Sequence, residues 1–389
     1  MKMIKKAYLD NGATTQVDKI VIDAMLPYMK EKYGNPSSLH SFGREAKEAI
    51  EKSRKVIADS ISAEKEEIVF TGGGTEADNL AILGIAKQMK EKGKTHLITT
   101  NIEHPAVANA FKELEKNGFD ITYLKVDSEG FIDLNELEKK INKKTCLVSI
   151  ILANNEIGTI QDITEIGKLC KEKKILLHTD AVQAFTKIPI DVDKMNIDLL
   201  SMSSHKVHGP KGVGALFIRK DIDFKPTTFG GGQENAKRAG TENVPGIVGF
   251  AKAVELAQDK EHVSRMAELR DYFIKQVEEK IEDVKLNGPR GGKRLCNNIN
   301  FGFAYVEGES ILLRLDNSGI AVSTGSACSQ INLKPSHVLE AIGLSHDIMH
   351  GSIRFTISRF TTKQELDYTV KKLKQVIEDL RKISPLTKR

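Results

Sequence analysis

The chain has 389 residues, too many for one ordinary core, so two domains, or a large domain carrying a smaller one, are expected. With 40% hydrophobic and 29% charged residues, its composition excludes a disordered or collagen-like chain. The 58 Lys and Arg face 53 Asp and Glu, a formal +5, with both signs interspersed and no basic stripe set with aromatics, which argues against direct nucleic-acid binding.

In chain order, Met1 to Lys6 is basic like the start of an export signal, but the apolar run behind it ends at Asp10, so export is not expected. From Glu67 onward, short apolar or β-branched runs alternate with helical periodicity. Strands are predicted at Glu67–Phe70, His96–Thr100, Ile121–Lys125, Leu147–Leu152, Ile175–Thr179, Leu199–Met202 and Val213–Phe217. Thr75–Lys90, Pro105–Asn117 and Ile163–Lys173 read as helices between them. Strand and helix in repetition predict an α/β fold with a mostly parallel sheet covered on both faces. After Gly240 the rhythm changes to a long helix reaching about Lys280, a strand at Asn298–Phe303, a helix near Glu309–Asn317 and a strand at Ser352–Ile357. This reads as a smaller α+β domain. We place the large domain at 15–258 and the small one at 1–14 and 259–389.

The longest apolar run, Cys146 to Ala153, is far too short for a membrane span. The cysteines, Cys146, Cys170, Cys296 and Cys328, form no CxxC pair and fit a reducing cytoplasm without a zinc ribbon.

In open α/β sheets, ligands sit beyond the carboxyl ends of the strands. There this chain carries Glu103-His104-Pro105, Asn154-Asn155-Glu156, Asp180, and Ser203-Ser204-His205-Lys206. Acid, amide, imidazole and amine at successive strand ends suit pyridoxal phosphate. That cofactor needs a lysine for a Schiff base (Lys206), an acid for its ring nitrogen (Asp180) and donors for its phosphate. Gln183 can reach the ring hydroxyl, and His104 can stack on the ring. The run Thr71-Gly72-Gly73-Gly74-Thr75 joins a strand to a helix, so its backbone NH groups and the Thr75 hydroxyl can cradle phosphate, completed by Ser203 and His205. The rival is a nicotinamide dehydrogenase, because Gly72-x-Gly74-x-x-Ala77 fits the dinucleotide fingerprint and Glu103 follows near the next strand end. It leaves Lys206 and Asp180 without a role.

Motifs spread over nearly the whole chain carry a resemblance. They include Tyr8-Leu-Asp-Asn-Gly-Ala-Thr-Thr15, Tyr33-Gly-Asn-Pro-Ser-Ser38, Thr75-Glu-Ala-Asp-Asn79, Asn154-Asn-Glu-Ile-Gly158 and His178-Thr-Asp-Ala-Val-Gln183. Ser203-Ser-His-Lys206, Gly230-Gly-Gly-Gln-Glu234, Arg238-Ala-Gly-Thr241, Ser323-Thr-Gly-Ser-Ala-Cys328 and Ile353-Arg-Phe355 complete the set. The sequence resembles the cysteine desulfurases of the NifS/IscS type, class V members of the fold-type I pyridoxal phosphate enzymes. The resemblance implies a seven-stranded, mostly parallel sheet in the large domain. It makes Lys206 the Schiff-base lysine, Asp180 the pyridinium partner, Gln183 the ring-hydroxyl ligand and His104 the stacked ring.

It also gives Gly74, Thr75, Ser203 and His205 to the phosphate, and Thr241 to the phosphate of the neighbouring subunit, hence a homodimer. Asn155 and Arg354 match the pair that holds the substrate carboxylate, and Cys328 the nucleophile that takes sulfur. L-cysteine is the implied substrate and a sulfur-acceptor protein, such as an iron–sulfur scaffold, the implied partner. Selenocysteine lyase and aminotransferase are the alternatives within the same fold. The family often has glycine where Ser204 stands, which bears on the phosphate geometry. Among the cysteines, only Cys328 lies in a run of small polar residues, as an acceptor loop requires; Cys146 reads as a core strand residue, Cys170 as packing or an inert surface thiol, and Cys296 as opening a strand.

Overall fold

The computed structural model describes residues 6–324 and 336–384. The first half runs β1 (Ala7–Tyr8), α1 (Lys19–Lys30), α2 (Ser41–Asp59), β2 (Ile68–Thr71), α3 (Gly74–Glu91), β3 (His96–Thr100), α4 (Pro105–Lys116), β4 (Asp120–Leu124), α5 (Leu134–Lys140), β5 (Thr145–Ser149), α6 (Ile163–Lys173), β6 (Leu176–Asp180), β7 (Leu199–Ser203) and β8 (Gly214–Ile218). The second runs α7 (Val244–Ala257), α8 (Lys260–Lys280), β9 (Val284–Leu286), β10 (Asn298–Phe303), α9 (Gly308–Asp316), β11 (Ile320–Ala321), β12 (Ser323–Thr324), α10 (His337–Ala341), α11 (His346–His350), β13 (Ser352–Thr356) and α12 (Lys363–Ile383). No helix among these residues is long and apolar enough to cross a membrane.

The main sheet has the order β2-β8-β7-β6-β5-β3-β4. Strands β7, β6, β5, β3 and β4 pair in parallel, while β8 runs antiparallel to both β7 and β2. The expected mostly parallel seven-stranded sheet is therefore present. Its central strands are buried on both faces because consecutive side chains enter different cores. Leu147, Leu199 and Leu216 pack in one apolar cluster; their successors Val148, Leu200 and Phe217 pack in another.

A second sheet, β12-β13-β10-β9, is antiparallel. It backs onto a separate apolar cluster that includes Phe273, Phe301, Phe355 and Leu373, with α8 and α12 supplying the covering helices. Helix α12 opens with a capping box, Thr362 with Glu365, and buries Leu366, Val370, Leu373 and Ile377, the spacing of one helical face. The chain start joins this part too: β1 pairs in parallel with β11, and Ala7 and Leu9 lie in its cluster.

Two expectations need correction. The long helix after Gly240 is two helices, α7 and α8, broken after Ala257, with Asp259 capping the second by accepting from the Glu261 NH. The dinucleotide reading fails on topology, since it needs β2 and β3 to be neighbours joined through α3. Here β2 lies at one edge beside β8, and β3 lies toward the other.

The segment before α7 is anchored by a buried ion pair. Arg54 Nη1 and Nη2 donate to Glu234 Oε2 and Oε1 at 2.6 and 2.9 Å, and the Phe70 NH donates to Glu234 Oε2 at 2.8 Å. The clamp holds Glu234, Asn235 and Ala236 in left-handed backbone, at φ 46°, 55° and 62°. Removing one member strands a buried charge. Glu234→Ala should lower unfolding stability by about 3 kcal/mol, read by denaturant titration with unchanged slope; a loss under about 1 kcal/mol would show that the clamp carries little.

Candidate active site

Because β2, β3, β5, β6 and β7 point the same way, their carboxyl ends share one edge of the sheet, and the expected polar residues meet there. A cavity of about 420 Å³ is lined by Gly74, Thr75, His104, Asn155, Asp180, Gln183, Ser203, His205, Lys206 and Arg354. Of the residues expected from sequence, Thr241 does not line it; it is exposed in the stretch before α7. Cys328 lies outside the described residues.

Lys206 ends a short 3-10 turn that follows β7 directly. Its Nζ donates to the carbonyls of Gly12 and Ala13 at 2.6 and 2.7 Å. Burial, with Arg354 and Lys187 nearby, lowers its pKa to about 8. Asp180 closes β6 and accepts from the Val182 NH at 2.8 Å. Burial pushes its carboxyl up, while that hydrogen bond and the Lys206 ammonium favour the ionised form. Gln183 Nε2 donates to Gly12 O at 2.9 Å, which fixes the amide against the Lys206 turn.

His104 caps α4: its Nδ1 accepts from the Ala106 NH at 3.2 Å, so a neutral ring carries its proton on Nε2. Burial, with Lys206, His337 and Arg354 close by, lowers its pKa to about 4. His205 is neutral for the same main reason, burial, at about 4, and its Nδ1 lies 3.2 Å from Thr14 Oγ1.

At the far end, α3 starts at the cavity wall without a side-chain cap, and Gly73 before it has φ 152°. A Cβ on Gly74 would come within 2.6 Å of Val182 Cγ2, so the approach is close enough to require glycine. The Ser203 hydroxyl beside it is buried without a hydrogen-bond partner. An uncapped helix start facing an orphaned hydroxyl fits a phosphate group. With the lysine and carboxylate opposite, the residues present fit pyridoxal phosphate. Ser204 is buried but does not line the cavity, so its extra Cβ takes none of the phosphate's room.

On the other side, Arg354 extends from β13. Its Nη2 donates to Asp10 Oδ1 at 3.1 Å and its Nη1 to Asn155 O at 3.2 Å, while its buried Nε has no partner. That free donor suits a carboxylate.

Sequence reasoning gave no role to Gly12 and Ala13, which hold the amine, to Asp78, buried close to Asp180, or to Glu156 and His337. Burial raises Glu156 to about 7, and it accepts from Ser336 Oγ at 2.5 Å. The Asn11-Gly12 turn was the available signal for the first two; nothing local marks the others. Glu103, the acid of the dinucleotide reading, is 1% exposed and spends Oε1 on Thr100 Oγ1 and the Ile151 NH, so no ribose can reach it.

The model of the class-V aminotransferase family matches residues 7–369. A relative named cysteine desulfurase IscS, from Dictyoglomus turgidum, is 57% identical over 386 residues, covering 98% of this chain and 97% of that one. The chain belongs to the class-V aminotransferase family, in its cysteine desulfurase branch. A solved NifS-like protein superposes with a TM-score of 0.91 at 39% identity, covering 96% of this chain and 100% of that one. The solved structure described as SspA in complex with cysteine superposes at 0.82 and 39% identity, covering 91% and 99%.

An amine is a nucleophile only when unprotonated, so the depressed Lys206 pKa sets its reactivity. Capture of added pyridoxal phosphate by cofactor-free protein, followed by absorbance, should speed up through about pH 8 and level off above it. A rate still climbing beyond pH 10, as for an ordinary lysine, would contradict this environment.

Proposed function

We propose that this chain is a pyridoxal-phosphate-dependent cysteine desulfurase that converts L-cysteine to L-alanine and passes the sulfur, through a persulfide on Cys328, to an acceptor such as an iron–sulfur scaffold protein. The observation that carries the reading is one cavity presenting a lysine amine, a strand-end carboxylate and an arginine with an unpartnered Nε. When bound, the cofactor supplies an electron sink for the pair left at the substrate's α-carbon. The chain supplies the rest.

Arg354, with Asn155, holds the substrate carboxylate and so fixes the α-carbon above Lys206. Lys206 Nζ takes and returns the α-proton. Asp180 holds the ring nitrogen, Gln183 the ring hydroxyl, and neutral His104 the ring face. Gly74, Thr75, Ser203 and His205 hold the phosphate. The Cys328 thiolate attacks the substrate sulfur; an S–S bond forms, the carbon–sulfur bond breaks with its electron pair going to the substrate, and protonation there yields alanine.

Elimination supports Cys328. Cys146, Cys170 and Cys296 are all buried in apolar clusters. Burial pushes their thiols up to about 11, 12 and 11, so none forms a thiolate readily near neutral pH. Purified protein given L-cysteine and a reductant should release alanine and sulfide in equal amounts. Cys328→Ser should keep the bound cofactor's colour and lose the persulfide; a persulfide found by mass spectrometry on Cys146, Cys170 or Cys296 would sink the assignment.

The active form in this reading is a cytoplasmic homodimer, with residues 15–258 as the cofactor domain and 1–14 with 259–389 as the smaller one. The support is an apolar surface: Met29 on α1 is 62% exposed, and Tyr33 and Leu39 beyond it are 71% and 90% exposed. A second copy covering this face would let exposed Thr241 serve the neighbouring cavity. Replacing Met29 and Leu39 together by Asp should shift sedimentation from dimer to monomer and weaken cofactor retention at least tenfold; a parent protein that sediments as an active monomer would refute the dimer.

A further inference from the structure

Beside the cavity lies a second, half-buried lysine that the chemistry above does not use. Lys187 Nζ donates to Gln183 O at 3.0 Å and to Lys206 O at 3.3 Å. Two carbonyl oxygens repel one another unless a donor lies between them, so this ammonium bridges the turn after β6 and the turn after β7, in addition to their shared contact with Gly12 O. These are the turns that carry Gln183 and Lys206. We propose that Lys187 is a positioning residue for Lys206, clamping the amine-bearing turn to the Gln183 turn and opposing protonation of the Lys206 amine by its own charge.

The surroundings favour this role over a generic ion pair. Lys187 forms no ion pair with a carboxylate among the described residues, and the buried Cys296 thiol near it stays protonated, pushed up to about 11 by burial. Across a small cavity of about 40 Å³ it shares walls with Lys206, His208, His262 and Arg359. Arg359 is paired with Asp18 at 2.6 Å, and His208, tied to Gln16 O at 2.9 Å, is kept neutral chiefly by burial, so neither adds an uncompensated positive charge beside Lys187. The charges that face Lys206 are Arg354 and Lys187, against Asp10 and Asp180. Burial lowers Lys187 itself to about 8, as expected for an ammonium satisfied by neutral acceptors alone.

Such a residue acts twice, by hydrogen bonds and by charge, and substitutions separate the two. Lys187→Arg keeps both, Lys187→Gln keeps donors without charge, and Lys187→Met loses both.

The inference rests on the reading of Lys206 as the amine that binds pyridoxal phosphate. The test is the pH dependence of pyridoxal phosphate capture by cofactor-free full-length protein, with Lys206→Ala as the reference. Losing a nearby cation makes Lys206 hold its proton more tightly, so the midpoint should move up in both Lys187→Gln and Lys187→Met. The plateau rate should fall at least tenfold in Lys187→Met and stay within threefold of the parent in Lys187→Gln. Lys187→Arg should match the parent in both respects. If Lys187→Met does not fold, the midpoint of Lys187→Gln decides alone. Parent-like midpoints in the uncharged variants would overturn the proposal, because a merely structural lysine would change the rate without moving the midpoint. Capture by Lys206→Ala at the parent rate would instead fell the cofactor reading, and this inference with it.

Discussion

One short stretch of backbone, residues 10–15, registers both halves of the site. On one side the Asn11 NH donates to Thr356 O and the Gly12 NH to Thr356 Oγ1, which ties it to β13, the strand that carries Arg354. On the other, the Thr15 NH and Oγ1 donate to His205 O, and the carbonyls of Gly12 and Ala13 receive the Lys206 amine. The amine of one sheet and the guanidinium of the other therefore keep their separation through a segment that belongs wholly to neither. Asp10, in the same stretch, pairs with Arg354 and lies near enough to Lys206 to favour its protonated form. Without this segment the Lys206 amine and the Arg354 guanidinium would lose their common frame.

The electrostatics follow from that placement. Cations and acids are buried together, and each shifts toward its neutral form mainly because water is excluded. Lys206 and Lys187 fall to about 8, Glu103 rises to about 8 and Glu156 to about 7. A site poised this way has small charging costs near neutrality, the condition for moving a proton between substrate and protein at useful rates. Two ends of the cavity suit anionic groups: the uncapped start of α3 at one, and the free Nε of Arg354 at the other.

Much of this was legible in the sequence, because strand-end chemistry is local. His96–Thr100 was read with the bounds the structure gives, and the runs at Leu199–Met202 and Asn298–Phe303 fell within a residue of theirs. The gathering of His104, Asp180 and Lys206 followed from the parallel-sheet rule alone. Other features depend on pairings far apart in the chain, which no periodicity reports. The placement of β2 at the edge beside β8, far from β3, that rules out the dinucleotide topology, the Arg54–Glu234 clamp and the Asp10–Arg354 pair are of this kind. The break between α7 and α8 was missed because helical periodicity continues on both sides of it. For Cys170 the flanking lysines left packing and an inert surface thiol both open, and its side chain packs inward with Ile166 and Leu169.

The central claim is that this edge of the sheet presents Lys206, and not its neighbour Lys187, to the aldehyde of pyridoxal phosphate. Reducing the loaded protein with borohydride, digesting it and mapping the pyridoxyl label by mass spectrometry tests that directly. The account predicts a single labelled site at Lys206; label on Lys187, or spread over surface lysines with Lys206 unmodified, would contradict it.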